Sequence, residues 1–297
     1  VGEVLFGNCL MAGQGQAPAR QAAFKGGLPK EAGAVTLSKM CGSGMKAAMF
    51  AHDMLLAGTH DVMVAGGMES MTNAPYLLQK GRGGYRLGHD RIFDHMMLDG
   101  LEDAYEPGRS MGTFGEDCAA KYGFTRAEQD AFATASVERA KAATASGAFA
   151  AEITPVTVKS RAGETVVSVD EGPGKVKLDK IASLKPAFKK DGTITAASSS
   201  SINDGAAALV MMRASTATKL GCKPLARIVG HATHAQEPEW FATAPLGATQ
   251  KALAKAGWAV GDVDLWEINE AFAVVPMALM KELNLPHDKV NVNGGAC

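Results

Sequence analysis

The 297-residue sequence is poor in aromatics (6%), has only five cysteines, and shows almost no charge imbalance. It also lacks an apolar run long enough to cross a membrane. The longest such run, Ala271–Met280, is about half of the ~20 residues that a membrane helix needs. No secretory signal is visible. The chain opens Val-Gly-Glu without an initiator Met, which leaves any targeting segment upstream open. Thirty Lys+Arg against 31 Asp+Glu give a net charge of −1, which excludes a broad nucleic-acid-binding face. Cys9, Cys41, Cys118, Cys222 and Cys297 are odd in number, far apart, and form no C-x-x-C. That pattern excludes a disulfide framework and a zinc knuckle and fits a reducing, cytoplasmic setting. Cys9, Cys118 and Cys222 read as small buried hydrophobes. His231 and His234 make an H-x-x-H pair without a third ligand, so no metal site is expected.

What is present is 46% hydrophobic residues and 34 glycines, a composition for a packed globular chain with closely approaching elements. The length suggests about two domains. Val1–Phe6, Ala34–Ser38 and Asp61–Ala65 read as strands, with a helix over Gly44–Ala57 and Gly58 behind it. Strand, helix and strand in this order predict a parallel α/β sheet. Composition changes near Met71. Thr125-Arg-Ala-Glu128 is a capping box that opens a helix to about Ser146. Ile153–Lys159 and Thr165–Val169 read as a hairpin. The sheet pattern returns at Ala206–Met212, with further strands expected at Ala226–His231, Asp264–Glu267 and Lys289–Val292. Helices are expected near Ala214–Leu220 and Gly247–Ala256, and another over Glu270–Leu283 that Pro276 should kink. Lys80–Arg86 is a basic stretch that reads either as a solvated loop or as a contact for an oligomer partner or an anionic ligand.

Lys39-Met-Cys-Gly-Ser-Gly-Met-Lys46 joins a strand to a helix. A thiol at a helix N-terminus meets free N–H groups and the macrodipole, which lower its pKa and favour the nucleophilic thiolate. Gly42 and Gly44 would let a substrate carbonyl approach the backbone N–H groups. A buried structural thiol is the competing reading of Cys41. Gly42–Ala47 also fits G-x-G-x-x-G/A, with Glu69 placed where a ribose-binding acid would follow. Thr195–Ala206 packs small polar residues between regular elements and reads as a capped loop or as a wall for a ligand. Asn269 reads either as a helix cap or as a crevice-facing residue at a strand-to-helix switch.

Taken together, these motifs resemble the thiolase family of acyl-CoA acetyltransferases. Lys39-Met-Cys-Gly-Ser-Gly-Met resembles its nucleophile loop, and Gly66-Gly-Met-Glu-Ser-Met the strand end after it. Ser110-Met-Gly, Leu184-Lys-Pro-Ala-Phe188, Asn203-Asp-Gly-Ala, Asn269-Glu-Ala-Phe and Asn291-Val-Asn-Gly-Gly match in order and spacing over essentially the whole chain. The resemblance implies an α/β fold of two pseudo-repeated sheet-and-helix halves, five-layered (αβαβα), with a large insertion. The expected division is 1–71 plus 202–223 for the N-terminal half, 72–201 for the inserted loop domain, and 224–297 for the C-terminal half. A likeness between Val1–Asn8 and Asp262–Asn269 reads as a trace of the repeat or as chance similarity of two short strands.

The resemblance implies that Cys41 attacks an acyl-CoA and carries the acyl group. A second acetyl-CoA, deprotonated at its methyl, then attacks it to give acetoacetyl-CoA, and the reverse reaction cleaves 3-ketoacyl-CoA. By resemblance Asn269 holds a water in one of two oxyanion holes and the backbone N–H of Cys41 serves the other, while Met111, Phe188, Ala196, Ser200 and Phe272 line the CoA channel. Ser110 stands where short-chain biosynthetic members usually have His, which leaves the acyl length open. No metal or redox cofactor is implied, CoA being a substrate, and family members are usually dimers or tetramers. The family's Gly-His-Pro and Cys-x-Gly loops, which supply the base and the acid/base Cys, do not occur in these residues. The chain is therefore expected to be a portion of a longer enzyme, incomplete for catalysis as given. The alternative is a non-catalytic acyl-CoA- or lipid-binding relative, or a subunit of a larger complex.

Overall fold

The computed structural model describes residues 1–297. The chain divides into two compact units, residues 1–109 with 202–229, and 110–201 with 230–297. The first unit opens with β1 (Glu3–Gly7), α1 (Pro18–Lys25), β2 (Gly33–Leu37), α2 (Ser43–Leu56) and β3 (Val62–Ser70), then the two-residue strands β4 (Tyr76–Leu77) and β5 (Phe93–Asp94). The second supplies α3 (Met111–Tyr122), α4 (Arg126–Ser146), the hairpin of β6 (Val156–Ser160) and β7 (Gly163–Val167), and the short α5 (Glu171–Lys175). β8 (Asp204–Met212) and α6 (Ala214–Leu220) return to the first unit. α7 (Ala244–Ala256) and α8 (Val274–Leu283) complete the second. Of the segment 72–201, residues 72–109 pack in the first unit and 110–201 in the second.

The first unit is built on a four-stranded sheet in the order β2-β1-β3-β8. β1 runs parallel to β2 and β3, and β8 antiparallel to β3. Side chains of a strand alternate between faces, and β1 shows it. Leu5 packs with Ala47, Ala51 and Leu55 of α2, whereas Val4 and Phe6 pack with Ala19 and Ala23 of α1. A helix therefore covers each face. β3 runs on through Gly66 and Gly67, five residues beyond its expected end at Ala65.

In the second unit the capping box is present. The Thr125 hydroxyl accepts from the Glu128 N–H (3.2 Å), the Glu128 carboxylate accepts from the Thr125 N–H (2.7 Å), and Gly147 closes α4 in the left-handed region. The hairpin forms, but the three strands expected after residue 223 do not. Asp264–Glu267 and Lys289–Val292 make one parallel bridge, Trp266 to Val290. Two features stop it spreading. Asn291 takes φ 47°, which turns the chain, and its side chain occupies the N–H and C=O of Ile268, where a longer strand would bond. Ala226–His231 is outside any strand. The last helix begins at Val274 rather than Glu270. Pro276 falls in its first turn, where the N–H groups lack intrahelical partners anyway, so no kink follows.

Candidate active site

The Cys41 loop leaves β2 and enters α2. Met40 adopts φ 48° and reverses the chain. The Ser43 hydroxyl fixes the turn by accepting from the Lys39 N–H (2.7 Å) and donating to the Met40 carbonyl (2.6 Å). Gly42 is the N-cap of α2, so Cys41 stands two residues ahead of the helix, exposed. Gly7 makes this placement possible. A Cβ there would lie 2.6 Å from the Ser43 carbonyl carbon and 2.7 Å from the Gly44 nitrogen, so only glycine lets the start of α2 rest on the end of β1.

The thiol's electrostatics run opposite to the sequence expectation. Desolvation by the surrounding protein, then the neighbouring Cys9, push the Cys41 thiol above its ordinary value. A backbone hydrogen bond and Lys39 pull it back only in part. The balance of these influences favours the thiol over the thiolate, so a base that takes its proton would assist nucleophilic use of Cys41.

Two neighbours of this loop have roles that the sequence does not announce. Glu69 is consumed by the loop after β1, accepting from the N–H groups of Cys9 (2.8 Å) and Leu10 (2.9 Å) and from Asn8 Nδ2 (2.8 Å). A carboxylate so occupied is a loop anchor, not a ribose reader. Cys9 is half-buried rather than a core residue, and its thiol donates to the Met40 carbonyl (3.2 Å). Of the other two cysteines read as buried, Cys118 is buried and Cys222 is exposed.

The remaining candidates belong to the second unit. Asn269 is exposed and is not a helix cap, that place being held by Ala273. Its backbone is clamped on both sides. Before it, Ile268 donates its N–H to Asn291 Oδ1 (2.8 Å) and accepts from Asn291 Nδ2 (2.9 Å). After it, the carboxylate of Glu270, only 1% exposed, accepts from Ser136 Oγ (2.7 Å), Asn291 Nδ2 (2.7 Å) and the Cys297 N–H (2.9 Å). A Cβ on Gly295 would collide with that carboxylate. The Asn-x-Asn-Gly-Gly run thus serves to hold Asn269 still, a role the sequence gives only by the proximity of two polar motifs.

Met111, Phe188 and Phe272 share one apolar cluster, with the Phe188 and Phe272 rings edge-to-face at 5.6 Å. Gly112 leaves room for the Phe188 ring. Ser110 is the N-cap residue of α3, its side chain making no cap bond. In the small-residue stretch, Thr195, Ser198 and Ser199 are buried and bonded among themselves, while Ala196 and Ser200 are exposed. This stretch pairs with the chain after Asn269: Ser200 donates its N–H to the Ala271 carbonyl (3.0 Å), and Ala273 donates its own to Ser198 (2.9 Å). The second unit so gathers a fixed polar side chain, exposed small residues and an apolar ring cluster. Lys80–Arg86 is an exposed turn in the first unit, its Lys80 paired with Asp90 (2.8 Å).

Comparison with known proteins bears on this arrangement. The family model described as "Thiolase, N-terminal domain" matches residues 1–215, and "Thiolase, C-terminal domain" matches 222–297. The chain is 50% identical to an acetyl-CoA acetyltransferase of Chromobacterium violaceum and 50% identical to acetyl-CoA acetyltransferase 2 of Arabidopsis thaliana. All of the chain aligns in both, over 76% and 74% of those proteins. Among solved structures it is similar to the Bacillus anthracis acetyl-CoA acetyltransferase (TM-score 0.95, 41% identity, all of the chain over 75% of that one). It is also similar to the Acat5 thiolase of Ascaris suum in complex with coenzyme A (TM-score 0.93, 39% identity, all of the chain over 76% of that one).

Proposed function

The chain belongs to the thiolase family, and from that premise we propose that it transfers acyl groups between CoA thioesters with Cys41 as the acyl carrier and Asn269 as the residue that positions the water of an oxyanion hole. The observation that carries the nucleophile assignment is the exposed Cys41 thiol on a hydrogen-bonded loop; within the second unit, Asn269 is supported by an exposed amide flanked by residues fixed on both sides. An oxyanion donor must be aimed before charge develops, because reorganising it during reaction forfeits its advantage.

In the first half-reaction Cys41 Sγ loses its proton to a base and attacks the thioester carbonyl. The C–S bond to CoA breaks and CoA leaves as the thiol. In the second, acetyl-CoA loses a methyl proton, its carbon attacks the acyl-Cys41 carbonyl, and the Cys41 sulfur leaves. The product with an acetyl group is acetoacetyl-CoA, and the reverse is thiolytic cleavage of a 3-ketoacyl-CoA. Met111, Phe188 and Phe272 offer the apolar wall for pantetheine, with Ser110, Ala196 and Ser200 beside it as small residues. The reading needs no metal or redox cofactor, because CoA is both substrate and product. A non-catalytic acyl-CoA binder is not favoured, the named relatives being acetyltransferases.

We also propose a homodimeric or homotetrameric assembly, as is usual in the family, and a reducing, cytoplasmic compartment. The second proposal is supported by five free cysteines. No helix is long and apolar enough to cross a membrane.

The test is turnover of acetoacetyl-CoA with CoA by the full-length natural protein. Cys41→Ser should abolish it, and Asn269→Ala should lower kcat by about 10²–10³, the usual cost of one oxyanion donor. Unchanged turnover in either variant contradicts that residue's role.

A further inference from the structure

Cys9 has no part in the acyl transfer above, yet its thiol lies against the nucleophile loop. It donates to the Met40 carbonyl at 3.2 Å and lies 3.4 Å from Ser43 Oγ. The carbonyl it touches belongs to the peptide unit that leads directly into Cys41. The two thiols also sit at the ends of adjacent parallel strands: β1 and β2 pair up to Gly7 and Leu37, and Asn8 still bonds to the Leu37 carbonyl (3.0 Å). Both cysteines are free. Cys41 is exposed and Cys9 is half-buried, and the two thiols are close enough to influence each other electrostatically. Cys41 is therefore the more open of the two to an oxidant from solvent.

We propose that Cys9 and Cys41 form a reversible redox pair, in which Cys9 resolves a peroxide-oxidised Cys41 as an intramolecular disulfide. The Cys41 thiolate attacks hydrogen peroxide, the O–O bond breaks, hydroxide leaves, and Cys41 becomes a sulfenic acid. Cys9, its proton passing to solvent, then attacks the Cys41 sulfur. The S–S bond forms, the S–O bond breaks, and the oxygen leaves as water. Two thiols give up two electrons to one peroxide, yielding two waters. A dithiol reverses the bond through two thiol–disulfide exchanges. The chemical effect is protection. A sulfenic acid without a resolving thiol goes on to sulfinic and sulfonic acids that a dithiol does not repair. Because desolvation by the surrounding protein and Cys9 itself raise the pKa of Cys41, oxidation should accelerate as pH rises through the alkaline range. The pairing does not rest on the acyl-transfer reading. Only its effect on turnover does.

The test treats the full-length protein with a few equivalents of hydrogen peroxide, quenches with iodoacetamide, and maps peptides by mass spectrometry without reduction. The expected result is a cross-linked peptide pair carrying Cys9 and Cys41, with turnover lost and then restored by dithiothreitol. Cys9→Ser and Cys9→Val should both lose the cross-link and show irreversible loss of turnover, with Cys41 recovered as sulfinic or sulfonic acid. Cys41 oxidised or linked elsewhere while Cys9 remains alkylated would overturn the proposal, as would full dithiothreitol recovery in both Cys9 variants. If the cross-link forms but Cys41→Ser keeps full turnover, the pair stands and the nucleophile assignment fails.

Discussion

Cys41 is held between opposing influences. Desolvation and Cys9 push its thiol up, while Lys39 and a backbone hydrogen bond pull it down. The sign of each is testable through the pH dependence of iodoacetamide alkylation, which reads the thiolate fraction. The midpoint for Cys41 should lie above that of an ordinary thiol. Removing a stabilising cation (Lys39→Met) should move it higher, and removing the neighbouring thiol (Cys9→Val) should move it lower. Glu270 makes a second case at this scale. Gln in its place keeps the shape but turns an amide NH2 toward donors from Ser136, Asn291 or the Cys297 N–H. Leaving buried donors unmatched costs about 1–3 kcal/mol. Glu270→Gln should therefore lower the midpoint of thermal unfolding and lower kcat. Parent-like values of both would contradict the role of Glu270 in positioning Asn269. Motif and spacing name the candidate residues. They do not name the residues that hold them, because Glu69, Glu270 and Asn291 act through bonds to residues distant in sequence that no local pattern announces.

Among the elements, helices with caps and strands beside glycine turns were read well. α4 begins at its capping box and α2 and β1 fall within two residues of their expected ends. The failures share a cause. A strand needs a partner that offers several consecutive backbone groups. The 264–268 segment meets a neighbour that turns away at Asn291 and substitutes its side chain for the next rung. The join between β1 and α2 gives a sharp prediction about glycines that look equivalent in sequence. Gly7→Ala forces a Cβ into Ser43 and Gly44, and overpacking of this kind costs about 1–3 kcal/mol. Gly44→Ala places its Cβ 3.6 Å from the nearest atom, the Gly66 carbonyl oxygen, an ordinary contact. Thermal unfolding should show Gly7→Ala destabilised and Gly44→Ala close to the parent. The opposite order would contradict the packing of α2 on β1.

For the whole molecule, the sequence motifs follow the order of the family models, while the packing units follow space. The chain leaves the first unit at Arg109, returns at Ile202, and leaves again at Val229. Hydrophobic periodicity marks elements one at a time and does not say which of them pack together, so the split of segment 72–201 was not readable. The nucleophile candidate lies in the first unit and the oxyanion candidate in the second, and the account depends most on the former. The most direct measurement is mass mapping of the full-length protein after brief incubation with acetyl-CoA and acid quench. The account predicts one acetyl group, on the peptide carrying Cys41, absent in Cys41→Ser and removed by added CoA. An acetyl group on another residue, or its persistence in Cys41→Ser, would contradict it.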